Sequence, residues 1–316
     1  MVEGNIDLEK YRFFKSLPED QKVETEGELS VMEEMRDYLK TQLKSNSLDS
    51  LKDGEAVENK IKQLVDEQIL WVKNRFGFDV SKRAVGPTAV GIHDRDSFLN
   101  KLRVHGQSSD IFKGFHVGPV RSIELLKQDR VESVFHSASH ELIHTIGDMV
   151  IKVDDNDQEI IQQSTGYNSK NGSFTMLNEM VVEMLNIEFL DDLRTGGKAD
   201  YLSGTDIGYG TVLLMFEAFF KKVADLAKMN LSELMNDLYT GYLTGDFSKL
   251  RIIDATLGKG TLKKIVDLKY EDFKSKEKSI ALFKDLGVDL PINKMQSYNK
   301  GEEIEMLDGI KIKKTN

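Results

Sequence analysis

The sequence predicts an α+β protein, predominantly helical, with a small sheet ahead of a central helix and a helical C-terminal half. Three observations carry that class. Apolar residues recur at three- and four-residue spacings over most of the chain. A stretch rich in glycine and β-branched residues between Val80 and Leu126 interrupts that spacing. Directly after it, a helical pattern contains His140-Glu141-Leu142-Ile143-His144, the arrangement H-E-x-x-H.

The composition, 40% hydrophobic and 30% charged with four prolines in 316 residues, is that of a soluble globular chain able to bury one large core or two smaller ones. A formal charge of −10 argues against nucleic acid or an anionic membrane as the main partner, because either requires a basic face. Met1 to Leu17 carries charges throughout, so neither a signal peptide nor an anchor is expected there. No later stretch approaches the ~20 apolar residues of a membrane span. The expected location is cytoplasmic. The chain has no cysteine, which fits either redox compartment.

Taken in order, Thr25 to Asn46 and Glu55 to Arg75 have helical apolar spacing, and Thr25 with Glu28 fits a capping box. This hairpin, within an N-terminal helical segment 1–79, is expected to be a packing layer. Ala84 to Ile92 and Phe115 to Leu126 read as strands with turns. The helix that follows runs without Pro or Gly to Gly147, its apolar face set by Val131, Val134, Phe135, Ala138, Leu142, Ile143 and Ile146. Val153 to Ser173 is polar and acidic and reads as a solvated loop, with a hairpin at Asn171-Gly172. Its acids lack the spacing of a calcium loop. Phe174 to Leu185 is a strongly apolar helix carrying Glu179 and Glu183. A glycine-rich entry, Leu202 to Gly210, leads into a helix from Thr211 to about Ala227, and further helices are expected over Leu231 to Leu243, Ser248 to Leu257 and Thr261 to Leu286. The main domain is expected over 80–290, its sheet part within 80–150 and its helical part within 174–290. The stretch 291–316 reads as a charged tail or edge strand.

On a helix, His140 and His144 lie one turn apart on one face and can grip a single ion, while Glu141 is turned by about 100° and stands beside it. That is the geometry of a zinc-bound water next to a general base. A catalytic zinc takes three protein ligands. His93, His105, His116 and His136 all precede the motif, and cysteine is absent, so a ligand from downstream must be a carboxylate. The metzincin continuation fails, because its last histidine position is Val150. Glu179 and Glu183 are the candidates, since acids in so apolar a helix need a partner to be buried. His136, one turn before His140, is either a fourth ligand, which would make the site structural, or a histidine hydrogen-bonded behind it.

His140-Glu141-x-x-His144 followed by Asn178-Glu179-x-x-x-Glu183 resembles the joint motif of the gluzincin zinc metallopeptidases, which include thermolysin and the zinc aminopeptidases. The resemblance covers the middle third of the chain. It implies a zincin-like catalytic domain with Zn2+ held by His140, His144 and Glu179, and Glu141 as the base. It also implies Glu183 as the acid holding a zinc-bound histidine by its second ring nitrogen, with Asp148 as a further acid behind the site. A strand before the motif would pair with the substrate backbone, which points to Ser122 to Leu125 with Ser122 and Glu124 as substrate contacts. A tyrosine at the start of a downstream helix would steady the oxyanion. Tyr209 holds that position, with Tyr201 and His116 as substitutes. The implied activity is hydrolysis of a peptide or protein substrate. The aminopeptidase signature G-x-M-E-N is missing and the spacer between His144 and Glu179 is long, so an endopeptidase is expected over an aminopeptidase. A non-catalytic zinc-dependent binding protein is the other class.

Overall fold

The computed structural model describes residues 54–80, 90–104, 113–117, 122–128, 131–147, 149–153, 160–169, 174–197, 209–307 and 309–314. Within them the protein is predominantly helical, with small sheets. The expected helix over Thr25 to Asn46 and the glycine-rich entry 202–208 lie outside the described residues.

Helix α1 (Gly54–Phe76) turns Ile61, Leu64, Val65 and Val72 into the main core. It is also tied down by polar contacts. Trp71 Nε1 donates to Asp192 Oδ2 at 2.6 Å, and Arg75 lies over the Trp71 ring while pairing with Glu188. The segment ahead of the sheet is therefore a wall of the same core.

Strands β1 (Val90–His93), β2 (Gly114–Val117) and β3 (Ser122–Leu126) form the first sheet, in the order β1-β3-β2, and helix α2 (Arg95–Val104) follows β1. β3 is parallel to β1 and antiparallel to β2, with Glu124 opposite Gly91 and Phe115. The two-residue period of a strand sends Ile123 and Leu125 to one face and Glu124 and Leu126 to the other. The first pair enters the main core with helix α3 (Val131–Ile146), and Leu126 packs with Phe98, Leu102 and Phe115 in a second, smaller cluster.

The expected loop over Val153 to Ser173 contains strands where it is described: β4 (Met149–Val153), β5 (Ile160–Thr165) and β6 (Asn168–Ser169) form an antiparallel meander, with 154–159 outside the described residues. The tight turn falls at Gly166-Tyr167, between the paired Thr165 and Asn168, whereas 170–173 are outside the described residues. Tyr167 is fully buried. Its backbone N–H donates to Asn178 Oδ1 at 2.9 Å and its hydroxyl donates to the Leu238 carbonyl at 2.7 Å, which ties the meander to the helices behind it.

Helix α4 (Thr175–Thr195) is buried nearly all round, from Met176 to Leu193. Helices α5 (Gly210–Ala227) and α6 (Leu231–Thr244) follow, the latter opened by a capping box of Asn230 and Glu233. A short α7 (Arg251–Leu257) comes next. The expected helix over Thr261 to Leu286 is two helices, α8 (Thr261–Val266) and α9 (Lys276–Asp285), with a 3-10 turn between them and Ser275 capping the second. The stretch from Pro291 is not a tail. Helix α10 (Ile292–Asn299) and the hairpin β7 (Glu303–Met306) and β8 (Ile310–Lys313) bury Met295, Tyr298, Ile304, Met306 and Ile312 in the main core. Its charges misled because the hairpin alternates, lysines and glutamates outward and apolar residues inward. No helix among the described residues is long and apolar enough to cross a membrane.

Tyr242 fixes the end of α3, donating to the Ile143 carbonyl at 3.1 Å, and its ring fills the space above Gly166, which has φ +55. A Cβ at Gly166 would overlap that ring. Gly166→Ala is therefore expected to lower stability by about 2 to 3 kcal/mol in urea denaturation, through overpacking and the left-handed backbone together. An unchanged midpoint would mean that the ring moves aside freely.

Candidate metal centre

Helices α3 and α4 lie antiparallel and meet along a ladder of histidines and acids. His140 Nε2 is 3.2 Å from Glu179 Oε2 and 3.3 Å from His144 Nε2, and His144 Nε2 is 3.5 Å from Glu179 Oε1. Two ligands that each sit about 2.05 Å from a tetrahedral ion are about 3.4 Å apart. The two nitrogens and the two oxygens of Glu179 thus lie at spacings close to that, and with one ligand atom from each residue all within 4.8 Å of one another, His140, His144 and Glu179 form a group able to hold a metal. The donor set, two imidazoles and a carboxylate, suits zinc, although other divalent transition ions accept the same donors. Side-chain exposure is 17% for Glu179 against 7% and 9% for the two histidines, so the group opens to solvent on the carboxylate side.

Glu183, one turn further along α4, is only 1% exposed and grips two histidines at hydrogen-bond length: His140 Nδ1 at 2.6 Å and His136 Nε2 at 2.8 Å. Of the two acids in α4, it is therefore Glu179 that faces the ligand nitrogens, and Glu183 stands behind them. His136 points its Nε2 at Glu183 and is not a fourth ligand.

The electrostatics follow from burial opposed by pairing. Burial pushes the His140 imidazole down, but the bonded carboxylates of Glu179 and Glu183 outweigh it and hold the group well above the usual histidine range. Burial pushes Glu179 and Glu183 up, and their histidines overcome it, leaving both well below the usual carboxylate range. Glu141 is pushed up to about 7 by burial, with His140 and His144 pulling the other way.

Glu141 rests against β2. A Cβ on Gly114 would come within 2.8 Å of Glu141 Cγ and 2.9 Å of its Oε1, so only glycine leaves room for the carboxylate there. His116, two residues on and hence on the same face of β2, stacks parallel to His144 with ring centres 6.1 Å apart. From the other side, Tyr209 at the N-terminus of α5 points its hydroxyl at Glu179 Oε2, 3.4 Å away, with its ring 6.1 Å from that of His140. Burial, then the nearby carboxylates of Glu179 and Glu141, raise the phenol well above its ordinary value, so it stays a proton donor.

Of the two expected substrate contacts, Ser122 opens β3, the central strand of its sheet among the described residues, and pairs with Val117 of β2, while Glu124 does not reach the site. Glu124, 2% exposed, faces α2 and is bonded to His93 and, at 3.4 Å, to Lys101. The strand that flanks the site is β2. Asp148 and Tyr201 lie outside the described residues. Gly114 was not legible as a site residue: the contact that needs it lies between a strand and a helix, and no local pattern encodes it.

No family model, curated protein or solved structure matches this chain.

A proton held on His140 stabilises the metal-free protein below the unfolded histidine pKa, and that contribution is lost as pH rises through the elevated folded value. A metal ion bound by the group would compete with this proton for the same nitrogen. Apparent zinc affinity is therefore expected to rise by about tenfold per pH unit for each proton displaced, over about pH 5 to 8. Titration calorimetry in buffers of different ionisation enthalpy measures the released proton. A pH-independent affinity would contradict the assignment.

Proposed function

We propose that this protein is a zinc-dependent peptidase, acting as an endopeptidase. The observation that carries the reading is the triad His140, His144 and Glu179, with one ligand atom from each within 4.8 Å of the others and Glu141 alongside. The gluzincin-like motif supports it, as does the bonding of His136 to Glu183, which keeps His136 out of the ligand group.

His140, His144 and Glu179 would hold the zinc, which when bound would supply a Lewis acid and lower the pKa of a water. The chain's own residues do the rest. Glu141, beside the ligand group, takes a proton from the attacking water and passes it to the leaving amine. Gly114 holds that carboxylate in place by leaving room for it. The Tyr209 hydroxyl donates to the developing oxyanion of the scissile carbonyl, which it can do because it remains protonated. An endopeptidase is favoured over an aminopeptidase because Glu124, the acid that could have held a substrate amine, is committed to His93 and Lys101 on the far face of the sheet.

The test is a digest of a mixed peptide library by zinc-loaded protein, read by mass spectrometry. Internal cuts are expected. Glu141→Gln is expected to keep zinc and lose about 10² to 10⁴ in turnover. Tyr209→Phe is expected to lower kcat by about 10² with little change in KM. Stepwise loss of N-terminal residues would move the activity to the aminopeptidases, and zinc-loaded protein that cuts nothing would overturn the peptidase reading.

A further inference from the structure

The ladder between α3 and α4 has more rungs than a three-ligand site needs. His144, His140 and His136 are spaced at one turn along α3, and Glu179, Glu183 and Asn186 answer them in reverse order along α4. Each carboxylate straddles two successive histidines. Glu179 spans His144 and His140 at 3.5 and 3.2 Å, and Glu183 spans His140 and His136 at 2.6 and 2.8 Å. The lengths divide the ladder chemically. Co-ligands of one ion stand about 3.4 Å apart, which fits the first pair of contacts; the second pair is too close for an ion between the partners and is made of hydrogen bonds.

From this geometry, and resting on the zinc reading above, we infer that His136 is a positioning residue: acting through Glu183, it fixes the tautomer and ring plane of His140 and so sets the metal affinity. With Nε2 of His140 turned to the ligand group, Nδ1 must carry the hydrogen, and Glu183 Oε2 accepts it. Oε2 can hold that direction only if the other oxygen is also held. Glu183 is 1% exposed, so its Oε1 has no water to turn to, and His136 Nε2 is the donor that holds it. Removing that donor leaves a buried carboxylate oxygen unsatisfied, and the group then rotates to find another partner. That rotation releases the hydrogen on His140. The His136 end of the ladder is itself anchored. Gln68 of α1 donates to the carbonyl and the hydroxyl of Ser139 at 2.8 and 3.0 Å, and the fully buried Asn186 amide lies 3.5 Å from the His136 carbonyl.

The experiment compares zinc dissociation constants, by chelator competition, for the full chain and for His136→Leu, His136→Gln and His136→Asn. A glutamine carries an N–H donor near the place of the histidine Nε2, an asparagine falls short of Glu183, and a leucine has no donor. The leucine and asparagine variants are expected to bind zinc about 10- to 100-fold more weakly and to shift the visible spectrum of the cobalt-substituted protein, with the glutamine variant within about threefold of the parent. Glu183→Gln combined with His136→Asn is expected to add less than about twofold to the loss from Glu183→Gln alone, because the two act in series. If the leucine variant does not fold, the asparagine and glutamine pair carries the comparison. Zinc binding by the parent with equal affinity in all variants, or equal loss in the glutamine and asparagine variants, would overturn the role of His136. A parent protein that binds no zinc would instead overturn the metal-centre reading itself.

Discussion

Everything around the site depends on one buried contact, the polar seam where α3 meets α4. Carboxylates with so little access to water are tolerable only when charge or hydrogen bonds replace the lost hydration, and here each acid of the seam has two imidazoles to do it. The penalty of several kcal/mol for an unpaired buried charge makes the seam a strong constraint on helix register. Sliding either helix by one residue would turn the acids onto apolar neighbours. The apolar remainder of α4, Met180 to Leu185 and beyond, holds the helices close enough for the seam to persist.

The scaffold serves that seam from several directions. α1 closes one side of α3 and reaches it with a single buried amide, Gln68. The first sheet closes another, with Ile123 and Leu125 supplying apolar contact and Gly114 supplying the space into which Glu141 fits. Tyr242 binds the last turn of α3 through the Ile143 carbonyl, and Tyr209 brings a phenol to the side of Glu179 that faces solvent. The C-terminal hairpin completes the core through Ile304, Met306 and Ile312. A site built on two helices and one strand keeps its side chains in place, which is what the proposed proton transfer over hydrogen-bond distances would require.

The helical class and the boundaries of α1, α3, α5 and α6 were legible in the sequence because they rest on periodicity and on local stops such as Gly147. The meander of β4 to β6 and the hairpin of β7 and β8 were not, because short strands in a charged context leave a weak alternation that pairing alone makes visible. The same holds within the site. His140, Glu141 and His144 are neighbours in sequence and announce themselves; Gly114 and His136 gain their roles from contacts with residues far along the chain.

The sequence by itself determined which side chains could bind a metal and that the ligand from downstream had to be an acid, since the spacing of the H-E-x-x-H helix and the absence of later histidines and of cysteine allow nothing else. The resemblance implied Glu179 as a ligand with Glu183 behind it; only the tertiary structure shows that Glu179 faces the nitrogens of His140 and His144, that His136 turns to Glu183, and that Glu124 faces away on a central strand. Those outcomes depend on the register between two helices and on the order of three strands. Both are set by the free energy of packing the whole core, which no local pattern contains.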